Sequence, residues 1–284
     1  MPEIAYINST FIPLEKAFVP INDRGYLFAD GIYEVIVTRN GKPFLIQEHL
    51  ERLQQSADEL LLKLPHSLSE FIETIGHGIK KAGFNETMVY IQLTRGIEPR
   101  RHNYSADIKA NLTMTFRPHP EYDPQLICEG VAIITVPEIR WSRCDIKSIA
   151  LLPNIMMKQK AVEMGCQEAV FVTKEGIVRE GTASNIFFIK NKILYTPPAD
   201  QHILGGISRN YILQQAAAHG LEQVERECTL QEVLSADEVF ITSSTVDLLP
   251  VIKIDETTIG RGRPGPVGKV IKNFFPTVPT IKRN

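Results

Sequence analysis

Three prolines within seven residues, Pro118, Pro120 and Pro124, limit how this chain can fold more than any other feature. Proline has no backbone N–H and clashes with the preceding turn of a helix. Neither a helix interior nor a central strand can therefore run through this stretch. The spacing predicts a linker at 118–124, between a smaller domain over 1–117 and a larger one over 125–284. At 284 residues the chain is long enough to give each part its own core.

Before the linker, strand-like runs at 33–38 and 44–47 flank Asn40-Gly41, a dipeptide suited to a two-residue hairpin turn because both positions tolerate positive φ. Leu50, Leu53, Ala57, Leu60 and Leu61 then recur at helical spacing, predicting an amphipathic helix from about His49. Ser67 and Glu70 have capping-box spacing, and Phe71, Ile75 and Ile79 follow on one helical face. Strands are expected at 88–94 and 111–116. Beyond the linker, strands are expected at 131–136, 168–173, 185–189, 193–195, 238–241 and 251–254, with helices at 153–164, 208–219 and 266–275. Hairpins mixed with helices give an α+β class in both halves.

Composition narrows the function. Apolar residues make up 43% and charged residues 23% of the chain, the balance of a globular protein. A formal charge of −2 gives no reason to expect nucleic acid or an anionic membrane as partner. No apolar run reaches membrane-spanning length, and the N-terminus lacks the pattern of a signal peptide. The four cysteines (Cys128, Cys144, Cys166 and Cys228) form no C-x-x-C pair, which favours reduced thiols and a cytoplasmic location. The seven histidines show no metal-ligand spacing, so no metal is expected.

Some stretches have local chemistry of their own. Gly205-Gly206 permits close backbone approach, and Ile207 and Ser208 open a predicted helix whose free N–H groups suit an anion. Thr242-Ser243-Ser244-Thr245, directly after a predicted strand, offers further backbone and hydroxyl donors. In Arg95-Gly-Ile-Glu-Pro-Arg100-Arg101-His102, an extended backbone would project Arg100 and His102 to the same side, where a guanidinium can grip a carboxylate. On its own, that stretch reads first as a basic solvated loop after Pro99.

The run Glu180-Gly-Thr-Ala-Ser-Asn185-Ile-Phe187, then Leu194-Tyr-Thr196 and Leu204-Gly-Gly206-Ile207-Ser-Arg209, fits the signature of class IV aminotransferases. Asp23-Arg24-Gly25-Tyr26, Asp30-Gly31-Ile32-Tyr33-Glu34, the stretch from Glu48 to Leu53 and Cys144-Asp145-Ile146-Lys147-Ser148 extend the likeness to about Pro250. The chain thus resembles fold-type IV pyridoxal-phosphate enzymes and, among them, bacterial D-amino-acid aminotransferases. That resemblance implies a smaller N-terminal α/β sandwich and a larger, mixed, β-barrel-like domain with helices. It also implies pyridoxal 5'-phosphate as cofactor, amino acids and 2-oxo acids as substrates, and a homodimer with a shared active site.

The residue roles follow from the same resemblance. Lys147 bonds the cofactor and shuttles the proton of the substrate Cα, which requires an amine that can be neutral near pH 7. Glu180 keeps the pyridine nitrogen protonated, so that the ring accepts electrons. Ile207, Ser208, Ser243 and Ser244, with the charge of Arg52, hold the phosphate. Arg100, His102 and Tyr33 hold the substrate α-carboxylate. Two departures from the D-specific pattern stand out. Thr182-Ala183-Ser184 replaces consecutive serines, removing a hydroxyl at Ala183, and Gly205 stands where a lysine is usual. Branched-chain L-amino-acid and (R)-amine transaminases are the nearest alternatives, with aminodeoxychorismate lyase further off. A catalytically silent homologue is the alternative outside enzymes.

Overall fold

The computed structural model describes residues 3–120 and 123–276. Among these, 3–120 and 146–150 form one compact unit, and 123–145 with 151–276 form a second. Glu121 and Tyr122 of the expected linker, and residues 277–284, lie outside the described residues. No helix among the described residues is long and apolar enough to cross a membrane.

The first unit is built on an antiparallel sheet of β1 (Ile4–Ile7), β2 (Thr10–Pro13), β3 (Gly31–Arg39), β4 (Lys42–Pro43), β5 (Thr87–Thr94) and β6 (Asn111–Pro118), in the order β2-β1-β6-β5-β3-β4. Asn40 and Gly41, with φ of 53° and 72°, close the β3–β4 hairpin in the expected turn. The expected strand at 44–47 does not form. Leu45 adopts a left-handed conformation and α2 (Ile46–Glu59) starts at once, following the short helix α1 (Arg24–Phe28). Strand β5 alternates up to its last residue: Val89, Ile91 and Leu93 are fully buried, and the residues between them are not. Against that face lie Leu50, Leu53 and Ala57 of α2 and Phe71 and Ile75 of α3 (Leu68–Ala82). Burying each large side chain contributes roughly 1.5–3 kcal/mol. Ser67 and Glu70 close the capping box of α3. Ile146 joins this core, which explains why 146–150 belong to the first unit although they come after the expected linker in sequence.

The second unit carries a mixed sheet. Its strands are β7 (Val131–Pro137), β8 (Glu168–Val172), β9 (Ile177–Gly181), β10 (Asn185–Lys190), β11 (Ile193–Thr196), β12 (Gln223–Glu225), β13 (Cys228–Thr229), β14 (Glu238–Thr242), β15 (Leu249–Ile254) and β16 (Thr257–Thr258). The order is β12-β11-β10-β14-β15-β7-β8-β9-β13, with β16 beside β15. Strands β7 and β8 are parallel and α5 (Leu152–Glu163) connects them; most other pairs are antiparallel. The remaining helices are α4 (Pro124–Glu129), α6 (Ile207–Ala218), α7 (Leu230–Leu234) and α8 (Pro266–Lys272). The long strands lie within about two residues of their expected bounds. Strands β12, β13 and β16 carry too few residues for a periodicity and, like β9 (Ile177–Gly181), are absent from the expected elements.

Candidate active site

In the first unit, the start of β3 holds the segment that carries Lys147. Tyr33 N donates to Lys147 O at 3.0 Å and Ile149 N to Gly31 O at 3.0 Å, while Lys147 N donates to Ser56 Oγ at 3.2 Å. Gly31 is forced by the neighbouring strand β5, because a Cβ there would lie 2.6 Å from Leu93 O. With its main chain fixed, the lysine extends Nζ to 4.2 Å from the Tyr33 ring centroid, and that ring stacks on Tyr90 at 5.8 Å. Lys147 and Tyr33, separated by more than a hundred residues in sequence, are therefore neighbours.

Arg52 is not on the polar side of its helix. It is buried, and its Nε and Nη2 donate to the two oxygens of Glu34 at 2.7 and 2.8 Å. His49, one turn earlier, meets the same carboxylate through Nδ1 at 2.7 Å. Burial pushes Glu34 up, but the charge and hydrogen bonds of Arg52, with the hydrogen bond of His49, outweigh it and hold the carboxyl far below its usual range. Burial likewise lowers His49, against the pull of Glu34, so the imidazole is neutral near pH 7. Arg52 thus carries its positive charge on a compensating carboxylate.

Residues 95–105 form a bent loop instead of the extended run considered above. Arg100 and His102 nonetheless converge. The Arg100 guanidinium lies 5.1 Å from the Phe28 ring centroid and the His102 ring packs edge-on at 5.8 Å, and both side chains are solvent-exposed.

In the second unit, β9 carries Glu180 one residue before its end at Gly181, and the buried carboxylate has donors on both oxygens. Arg140 Nη1 reaches Oε1 at 2.6 Å, Asn185 Nδ2 reaches Oε2 at 3.0 Å, and Leu204 N lies 3.1 Å from both. Arg140 also donates to Glu138, at 3.0 Å through Nε and 2.7 Å through Nη2, and lies over the Phe171 ring. Burial works against its charge, yet its bond to Glu138 and the charge of Glu180 push its pKa upward. Asn185 Nδ2 donates to Leu204 O as well, at 2.9 Å, which pins the 204–206 turn to β10. Gly206 touches this latch so closely that a Cβ would sit 2.0 Å from Asn185 Oδ1.

Gly206 is also the N-cap of α6, and no side chain caps that helix. The amides of Ile207 and Ser208 in its first turn have no i−4 carbonyl within the helix, and both residues are buried. Asn185 pairs with Thr242 at the end of β14, so Ser243 and Ser244 emerge from the strand next to the Asn185 latch. The buried Thr242 Oγ1 has no hydrogen-bond partner. Uncapped amides, small residues and adjacent hydroxyls are the donor set a phosphate requires, and a fixed buried carboxylate suits a protonated ring nitrogen; the residues present fit pyridoxal 5'-phosphate. At the departure from the D-specific pattern, Thr182 Oγ1 and Ser184 Oγ both turn to the buried Glu168 carboxylate, the latter at 3.1 Å. Ala183 between them is exposed.

Sequence reasoning overlooked Arg140, the Asn185 latch and the Glu34–His49 pair. Arg140 pairs with Glu180 across forty residues and has no local signal. Asn185 stands in the signature, but its role shows only once Leu204 and Glu180 are brought against it.

Residues 31–254 match the model of the amino-transferase class IV family. The chain is 41% identical to a D-alanine aminotransferase of Bacillus licheniformis over 93% of each chain. It is 38% identical to one of Listeria monocytogenes, over 95% of this chain and 93% of the relative. Among solved structures, the branched-chain amino acid aminotransferase of Escherichia coli superposes with a TM-score of 0.90 at 24% identity, covering 96% of this chain and 93% of the other. At that identity the likeness speaks for the fold: an N-terminal antiparallel sheet domain and a larger mixed half-barrel domain with helices, as in fold-type IV transaminases.

Proposed function

This chain belongs to the class IV aminotransferase family, and from that membership we propose that it moves the amino group of D-amino acids such as D-alanine and D-glutamate to 2-oxo acids. The reaction class and the preference for D-alanine rest on identity of about 40% to D-alanine aminotransferases over most of the chain. Class IV aminotransferases use pyridoxal 5'-phosphate, whose aldehyde takes up the amino group and whose ring accepts the electrons left at Cα.

The observation that carries the residue assignment is the buried Glu180 carboxylate, held on both oxygens and so fixed in direction. In this reading Glu180 keeps the proton on the ring nitrogen. Lys147, its main chain tied to β3, would hold the cofactor through its amine and move the substrate's α-proton. The amides of Ile207 and Ser208, the hydroxyls of Ser243 and Ser244, and Arg52 braced by Glu34 hold the phosphate. Arg100 and His102, with Tyr33, grip the α-carboxylate and so decide which hand of substrate presents its Cα–H to the lysine. Taking the amino group from one substrate before the other binds would give ping-pong kinetics.

We further propose the division into a smaller domain over 1–117, a linker at 118–124 and a larger cofactor-binding domain from 125, and a homodimer whose subunits share the site. Phe18, Ile21 and Tyr26, each more than 70% exposed within nine residues, form the kind of apolar surface that a second subunit covers.

The experiment is a half-reaction with no 2-oxo acid present. The visible absorption of the lysine-bound cofactor is followed after adding D-alanine, D-glutamate, L-leucine or (R)-1-phenylethylamine separately. Rapid loss of the band with the D-acids alone is the expected result. Loss chiefly with L-leucine would overturn the roles of Arg100 and His102, and absence of any band on adding the cofactor would overturn that of Lys147.

A further inference from the structure

The Asp23-Arg24-Gly25 motif has no part in the chemistry above, yet Arg24 is among the most heavily bonded side chains of the first unit. It opens α1 behind Asp23, which caps the helix by accepting from Gly25 N at 2.7 Å. The Arg24 side chain is only 5% exposed. Its Nε donates to Asp30 at 2.8 Å, Nη1 to Arg101 O at 2.7 Å and Nη2 to His102 O at 3.0 Å, with Asn103 O at 3.5 Å from Nη1. One guanidinium thus gathers three successive carbonyls of the loop that bears Arg100 and His102.

Other contacts hold the start of that segment: Asp23 and Ile97 form an isolated bridge, Arg95 N donates to Asp30 O at 3.0 Å and Glu98 N to Asn22 O at 3.3 Å, and the Arg95 guanidinium lies 4.0 Å from the Tyr104 ring centroid. Within it, Glu98 accepts from Arg101 and Ser105. The anchoring extends behind Arg24 to Asp30, which Arg95 shares at 2.8 Å while donating to Leu60 O at 2.8 Å. Phe28, four residues after Arg24 on the same helix, is the ring on which the Arg100 and His102 side chains rest. Helix α1 therefore supplies both the tether for the loop's main chain and the platform for its two working side chains.

We infer that Arg24 is the positioning residue of the substrate-carboxylate trap: it touches no substrate, and it sets where Arg100 and His102 stand. The inference rests on the proposed reading in which those two residues take the α-carboxylate. A planar fork suits this task because its donors reach separate carbonyls at once. A lysine at the same place is a point charge that cannot span them.

The test compares Arg24→Lys and Arg24→Gln with Arg100→Ala, each as full-length holoenzyme. Lysine keeps the charge beside Asp30 and Glu98, so it serves where glutamine prevents folding. Two quantities are read: KM for D-alanine against the half-reaction rate with (R)-1-phenylethylamine, which has no carboxylate, and the rate of tryptic cleavage after the exposed Arg100 and Arg101. Arg24→Lys is expected to raise the D-alanine KM about tenfold or more, the equivalent of one lost charge-assisted contact. It should leave the amine reaction unchanged and speed cleavage of the loop. Equal effects on both substrates, or a loop as resistant as in the parent, would overturn the inference. If Arg100→Ala shifts the acid-to-amine ratio and Arg24→Lys does not, the positioning role alone falls. If Arg100→Ala leaves the ratio unchanged, the carboxylate reading falls and takes the inference with it.

Discussion

Replacing Arg140 by methionine separates the electrostatic support of Glu180 from its chemistry. The paired side chains are 5% and 7% exposed, so water cannot rehydrate the carboxylate left behind. Glu180 would keep Asn185 Nδ2 and Leu204 N, both neutral donors. Breaking one side of a buried pair costs about 3–5 kcal/mol. Glu138, the other partner, is 21% exposed and reaches solvent, so its loss adds less than about 1 kcal/mol. At about 2–4 °C per kcal/mol for a chain of this size class, Tm should fall by roughly 6–20 °C. The assay is thermal denaturation followed by circular dichroism, on protein freed of cofactor so that stabilisation by binding does not enter. The double variant Arg140→Met with Glu180→Met should recover most of the loss, because an apolar pair of similar volume removes the stranded charge. A Tm for Arg140→Met within about 2 °C of the parent, or a double variant no more stable than the single, would refute the reasoning.

Gly206→Ala drives a Cβ into Asn185 Oδ1 and so loosens both the Glu180 and Leu204 bonds; affinity for pyridoxal phosphate should drop at least about tenfold, against a smaller change for unphosphorylated pyridoxal in the same titration. Ser67→Ala removes the α3 capping box and should cost about 1 kcal/mol, read from the urea midpoint with turnover unaltered. Arg100→Ala should raise the KM for D-alanine far more than that for (R)-1-phenylethylamine, and parallel increases would exclude a carboxylate grip. Stability should also fall with acid in two stages. The folded His49 resists a proton that the unfolded chain accepts, so its penalty is absent above the usual 6.5 and grows as pH drops below it. Glu34, held low, contributes stability that is complete above its usual 4.5 and is lost as pH falls further. Unfolding free energies measured from about pH 8 to about pH 4 should show the first stage, and His49→Gln should abolish it; an identical profile in the variant would rule out His49 as its source.

Much of this protein was legible locally. Asn40-Gly41 specified a turn because two adjacent residues set the φ values it needs. Ser67 and Glu70 marked the start of α3 because both bonds of a capping box close within one turn. The apolar spacing of Leu50, Leu53 and Ala57 anticipated which face of α2 is buried. The run from Glu180 to Arg209 identified the family, and through it the cofactor, because that pattern lies within thirty consecutive positions. The tertiary structure decided how charge is distributed around those residues. Arg52 is buried on a carboxylate because β3 brings Glu34 against it. Arg140 and Glu180 lie forty residues apart, and Arg24 meets the carbonyl of Arg101 across seventy-seven. Turns, caps and periodic faces are settled by the dihedrals and burial of a few neighbouring residues, so sequence alone determines them. A buried ion pair forms only where the fold excludes water and brings distant strands and helices together, and no window of sequence contains both partners.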